Sequence, residues 1–123
     1  MRLRTGWAVL LALGCRPAPP PPPEPPDLAA HRAEVLALIG EPRCDRVEQC
    51  RATPLGAKPC GGPWRYVVFS TVTTDSIRLA TAAAEYTALE AEQNRRTGAV
   101  SDCRFVAAPS LGCSRGYCVS QSR

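Results

Sequence analysis

Six cysteines divide evenly around one helical stretch: Cys44, Cys50 and Cys60 precede it, and Cys103, Cys113 and Cys118 follow it. The stretch runs from Asp75 to Gly98, DSIRLATAAAEYTALEAEQNRRTG, with no proline or internal glycine. Leu79, Ala83, Tyr86 and Leu89 recur three and four residues apart, which puts them on one face of a helix. Glu85, Glu92, Arg78 and Arg96 then turn largely toward water. Asp75 or Thr74 supplies an acceptor for the first free amides, and Gly98 takes the left-handed conformation that ends the helix. Arg95 and Arg96 complement the dipole in the last turn, with Glu92 four residues before Arg96. The run Ala82 to Ala84 favours helix and presents a thin surface that a sheet or a disulfide can approach closely. The symmetry suggests a helix stapled between two cysteine-bearing flanks.

The length of 123 residues leaves room for one small domain with a modest core. Seven cysteines with 13 prolines suit an exported chain, because cytosolic thiols are kept reduced. The formal charge is +4, of which Arg2 and Arg4 lie in the leader; without them about +2 remains, too little to argue for a nucleic-acid partner.

Met1 to Cys15, MRLRTGWAVLLALGC, reads as a signal peptide: two arginines, a short apolar run from Trp7 to Leu13, and small Gly14 before Cys15. The run is about half of what a spanning helix needs. Ala12-Leu13-Gly14-Cys15 resembles a bacterial lipobox, in which the cysteine sulfur is acylated and becomes the new N-terminus. The usual order of leucine and small residue is swapped here, and the same residues also fit ordinary signal-peptidase cleavage at Ala12 and Gly14. Cysteine parity favours lipidation of Cys15, since the other six can then all pair. By the sorting pattern of such lipoproteins, Arg16 in place of aspartate points to an outer membrane facing the periplasm.

Residues 16–26 form a proline-rich linker, with PAPPPPPEPP from Pro17 to Pro26. Proline lacks the amide donor and fixes φ, so this is an extended spacer of about 30 Å. Docking to a proline-recognition domain is the alternative use of such a segment.

Residues 27–123 are the domain. Asp27 to Gly40 predicts a second, shorter helix, with Asp27 as cap, Leu28, Val35, Leu38 and Ile39 as apolar face, and Gly40 and Pro42 as the stop. Glu48 to Thr53 and the β-branched, aromatic run Trp64 to Val72 predict two strands. Cys60-Gly61-Gly62-Pro63 forms the turn between them. Asp102 to Ala107 and Tyr117 to Ser120 predict two more strands, joined by a turn around Pro109 to Gly116. The expected architecture is α+β: a small antiparallel sheet of three to four strands packed on the long helix, with a shorter N-terminal helix and disulfide staples.

Six cysteines allow 15 pairings. Cys113 and Cys118 lie close enough for a local bridge, and at least one link between the two clusters is expected to staple the helix to the sheet. A thiolate zinc site is the competing use, but the gaps lack the short Cys-x-x-Cys repeat of such sites, and no metal or other cofactor is expected. His31, the one histidine, falls on a solvated helix face. Asp45, Glu48, Glu85, Glu90, Glu92 and Asp102, with Ser70, Ser76 and Ser101, form no nucleophile-base motif, so the chain is not expected to be an enzyme. Gly61-Gly62 lacks the lysine and hydroxyl residue of a phosphate loop. Arg43, Arg46, Arg51 and Lys58 make the first cysteine cluster basic, a surface for anionic headgroups or cell-wall polymers if not merely solvated.

The run QCRATPLGAKPCGGPWRYVVFS, with EYTALEAEQNRRTG, SDCRFV and the closing cysteine pair, resembles a family of small cysteine-rich bacterial secreted or lipoprotein-like proteins of uncharacterised role. The likeness covers about Cys44 to Cys118 and implies export and cysteine bridging, with no activity to transfer. The function expected is a binding or structural role at the cell envelope, through a lipid anchor and an envelope-protein or cell-wall partner, with no small-molecule substrate identified. The alternative is an accessory regulator or inhibitor of an envelope enzyme, acting through a cysteine-framed loop such as Lys58 to Trp64; an enzyme of unknown class is the third reading.

Overall fold

A computed structural model of the chain describes residues 26–121, so the leader, Cys15 and the proline-rich linker up to residue 25 lie outside the described residues. The element order is α1 (Pro26–Ile39), a single 3-10 turn (Val47–Gln49), β1 (Cys50–Leu55), β2 (Arg65–Ser70), α2 (Ser76–Thr97), β3 (Ser110–Ser114) and β4 (Tyr117–Gln121). The class is α+β. The strands form two separate two-stranded antiparallel sheets, β1-β2 and β3-β4, where one sheet of three to four strands was expected.

α2 has the limits its sequence dictates. The Asp75 carboxylate accepts from the amides of Ile77 and Arg78 at 3.0 and 3.1 Å, and Gly98, at φ +64°, closes the helix by donating to the Asn94 carbonyl. Leu79, Ala83 and Tyr86 are buried along one stripe, with Leu89 packed partly against it. α1 starts at Pro26, whose fixed φ suits a first helical position, so Asp27 sits inside the first turn and is not the cap. The end of α1 is tied to the approach to α2: Thr74 Oγ1 donates to the Ile39 carbonyl at 3.2 Å and Thr73 Oγ1 to that of Glu41 at 3.0 Å.

The apolar core joins Leu28 and Val35 of α1, Leu55 and Phe69 of the first hairpin, and Leu79, Ala82, Ala83 and Tyr86 of α2. Eight buried side chains among the described residues make a small core, and the disulfides carry correspondingly more of the stability. A second cluster gathers Cys44, Cys50 and Cys118, with Val68, Leu111 and Cys113 around them, where the two hairpins meet.

Two strands differ from expectation. Residues 102–107 form none, and β3 occupies 110–114, inside the predicted turn. The reason is the two-residue connection Arg115-Gly116, both at positive φ (+51° and +80°), the backbone of a tight hairpin turn whose twist matches the strands. That turn sets Ser114 opposite Tyr117 and Cys113 opposite Cys118. The first hairpin pairs Cys50 with Ser70 through to Leu55 with Arg65, so β1 lies two residues later than predicted, after the 3-10 turn.

All three disulfides cross α2 in sequence: Cys44–Cys113, Cys50–Cys118 and Cys60–Cys103. The local Cys113–Cys118 bridge does not form. Directly opposed Cβ atoms in an antiparallel pair stand about 4.5–5.5 Å apart, wider than the roughly 3.8 Å of a disulfide. Both sulfurs instead point off the same hairpin face toward Cys44 and Cys50.

Candidate functional site

The six cysteines expected to bridge are brought together in three bonded pairs, Cys15 lies outside the described residues, and the polar residues weighed for chemistry are not brought together. His31 Nδ1 is engaged within its own helix by the Asp27 carbonyl at 2.8 Å. Ser70 is fully buried and its Oγ accepts from the Val72 amide; Ser101 Oγ accepts from the Cys60 amide at 3.4 Å. The sulfurs of Cys44, Cys50 and Cys118 lie within 4.8 Å of one another, a spacing compatible with metal ligation. Each is bonded to another sulfur, however, and so offers no thiolate.

The residues that do converge line a groove between α2 and the segment from Thr53 to Pro63. Its helix wall is Ala80, Ala83, Ala84, Thr87, Ala88 and Ala91; its other wall is Thr53, Pro54, Gly56, Ala57, Lys58 and Pro59, closed by Gly61, Gly62 and Pro63. The groove is open along one side and has a volume of about 670 Å³, in the range of ligand pockets. It exists because neither wall has the bulk to fill it: methyl groups face glycine and proline rings. The alanine run is thus divided, with Ala82 and Ala83 buried and Ala84 open to the groove.

The loop wall is fastened to the helix by side chains of α2. Thr87 Oγ1 accepts from the Gly56 amide at 3.1 Å, Glu90 Oε2 accepts from the Ala57 amide at 2.6 Å, and Asn94 Nδ2 donates to the Ala57 carbonyl at 2.7 Å. Glu90 Oε1 also accepts from Tyr86 at 3.2 Å. These bonds satisfy backbone groups that would otherwise face an apolar space.

Lys58 stands at the junction of this groove with the segment that follows α2. Its side chain is only 4 % exposed, which corrects its reading as part of a solvated basic surface. The buried ammonium is satisfied by an ion pair with Asp102, by the Arg104 carbonyl at 2.9 Å and by the face of Trp64, 5.5 Å from the ring centroid. The hydrogen bond from Lys58 is the main cause that holds the Asp102 carboxyl below its ordinary value; partial burial opposes it, and the charges of Lys58 and Arg104 add to it. Two of the arginines near the first cysteines are engaged locally. Arg43 pairs with Glu41 at 2.8 Å and stacks on Tyr117; Arg51 donates to the carbonyls of Glu48 and Cys50.

The groove had a sequence signal: Ala80, Ala84, Ala88 and Ala91 recur at helical spacing on the face away from the core stripe, and PLGAKPCGGP offers no bulky side chain to cover them. The burial of Lys58 had none, since its partner Asp102 lies 44 residues away.

Among the described residues no helix is long and apolar enough to cross a membrane. Comparisons with protein-family models, with curated proteins and with solved structures find no match for this chain.

Proposed function

We propose that this chain is an exported, non-enzymatic binding protein of the cell envelope, in which the groove between α2 and the Thr53–Pro63 segment takes an apolar segment of another envelope protein. The observation that carries the reading is the groove itself: about 670 Å³, walled by alanine, glycine and proline, and held open by three hydrogen bonds from α2 to residues 56 and 57. Pro54 on the loop side lacks an amide to offer an added strand, so recognition rests on side-chain packing. The three disulfides fit an oxidising compartment. By pairing all six downstream cysteines they leave Cys15 free for acylation; the proline spacer and the outer membrane enter the proposal from the leader and linker sequence alone. Membership of the cysteine-rich family of secreted or lipoprotein-like proteins is part of the same proposal.

A photo-crosslinking residue at Ala88, compared with one at Arg78 on an exposed face of the same helix, tests the groove in intact cells. A discrete adduct from Ala88 alone, lost when Ala84 becomes tryptophan, is the expected result. Identical patterns from both positions sink it. The intact mass of membrane-purified protein, before and after thiol labelling, tests the anchor: an acyl increment with no labelled sulfur is expected.

A further inference from the structure

Residues 99–109 form no helix or strand, and none of them belongs to either core cluster. The segment nevertheless runs without a turn or bend, and none of its residues has a positive φ. Three consecutive residues in it are tied down. Asp102 is paired with the Lys58 ammonium, Cys103 is bonded to Cys60, and the Arg104 carbonyl accepts from Lys58 at 2.9 Å. On the far side, β3 takes hold of the chain at Ser110. A buried lysine and a disulfide that closes a 43-residue separation are thus devoted to a stretch that adds nothing to the core. Such bracing has a use where the shape of the stretch is itself recognised, because pre-ordering removes the entropy that a partner would otherwise have to offset.

What the braces present is Phe105. It is 89 % exposed, directly after an Arg104 side chain that is 88 % exposed. A run of unpaired backbone with one large side chain projecting is the form in which an endopeptidase takes a peptide, pairing with the main chain and seating the side chain in a pocket. Arg104 has its carbonyl engaged by Lys58, so Phe105 is the first residue past the braces.

We infer that Cys103 to Ala108 is a substrate-like inhibitory loop for an extracytoplasmic serine endopeptidase with an apolar primary pocket, and that Phe105 fills that pocket. A serine enzyme fits better than a thiol enzyme, because reducing conditions that keep a catalytic thiol active would open the Cys60–Cys103 bridge. Braces before Phe105 and β3 after it hold both sides of the loop, so it resists being drawn through the cleft. The inference rests on the exported binding reading but uses a surface separate from the groove.

The test is titration of chymotrypsin and of subtilisin with the intact disulfide-bonded protein, with trypsin as the comparison. Inhibition of at least one of the first two, saturating at one chain per enzyme and absent for trypsin, is expected. Phe105→Ala then weakens it by roughly 30-fold or more, the size of an interface hot spot, while Phe105→Arg transfers inhibition to trypsin. The pair Cys60→Ser with Cys103→Ser converts the loop into a substrate cut after Phe105. Because Phe105 is exposed, circular dichroism should show both Phe105 variants folded. No inhibition of either apolar-pocket enzyme, rapid cleavage of the intact protein after Phe105, or inhibition unchanged in Phe105→Ala overturns the inference. Ala84→Trp should leave inhibition intact, which separates failure of this loop from failure of the groove.

Discussion

Cys113 and Cys118 face each other across the β3–β4 hairpin, yet each is bonded to a cysteine on the other side of α2 in sequence. Their partners, Cys44 and Cys50, flank the 3-10 turn that leads into β1, so the two bridges join the start of the first hairpin and the segment before it to the second hairpin. Each closes a separation of 69 or 68 residues, for which chain entropy in the unfolded state gives about 4 kcal/mol. With one bridge present, the second closes only a ring of about a dozen residues, worth about 3 kcal/mol. Replacing either pair with serine should therefore cost about 3 kcal/mol in urea unfolding, and replacing both about 7 kcal/mol. Peptide mapping should recover the 44–113 and 50–118 pairs.

The Cys60–Cys103 bridge should behave differently. Its separation of 43 residues also corresponds to about 4 kcal/mol by chain entropy. Once it is cut, however, residues 99–109 gain freedom in the folded state too, which offsets much of that loss. Serine at both positions should lower stability by only about 1 kcal/mol. Hydrogen exchange should rise across residues 100–109 and stay unchanged in the middle of α2.

Gly56 holds φ at +84°, and a Cβ built there would come within 2.6 Å of Glu90 Oε2 and 2.9 Å of Trp64 Cδ1. Gly61 is also left-handed, at φ +99°, but a Cβ there meets nothing within 4 Å. Gly56→Ala should thus cost about 2 kcal/mol and Gly61→Ala about 1 kcal/mol. Thermal unfolding of the two variants measures the difference, which isolates the clash from the backbone strain.

Asp102 titrates below its ordinary value of 3.8 because Lys58 donates to it. A depressed carboxyl contributes stability that is fully present above the unfolded-state value and lost as pH falls through the folded one. The Lys58–Asp102 clamp should therefore survive at neutral pH and release only below about pH 3.8. Trp64, 5.5 Å from the Lys58 ammonium, is positioned to report it. In a version lacking residues 1–15, where Trp64 is the one tryptophan, emission should shift over that acid window, and Asp102→Asn should abolish the shift.

Local chemistry was legible in the residues. The limits of α2 follow from Asp75, Gly98 and the spacing of Leu79, Ala83 and Tyr86, because a cap or a stripe acts within one or two turns. β3 was not legible: its strand character depends on the Arg115-Gly116 turn and on a face that meets the first hairpin, and SLGCS alone favours neither strand nor loop.

The sequence by itself determined that a capped, amphipathic helix sits between two sets of three cysteines, and that so small a core needs cross-links. Only the tertiary structure decided which sulfurs bond, that four strands make two sheets, that alanine and glycine leave a groove, and that Lys58 is buried against Asp102. The reason is one of range. Caps and periodicity are settled between neighbours in the chain, whereas loop-closure cost varies only logarithmically with separation, so distant partners are chosen by which faces pack together.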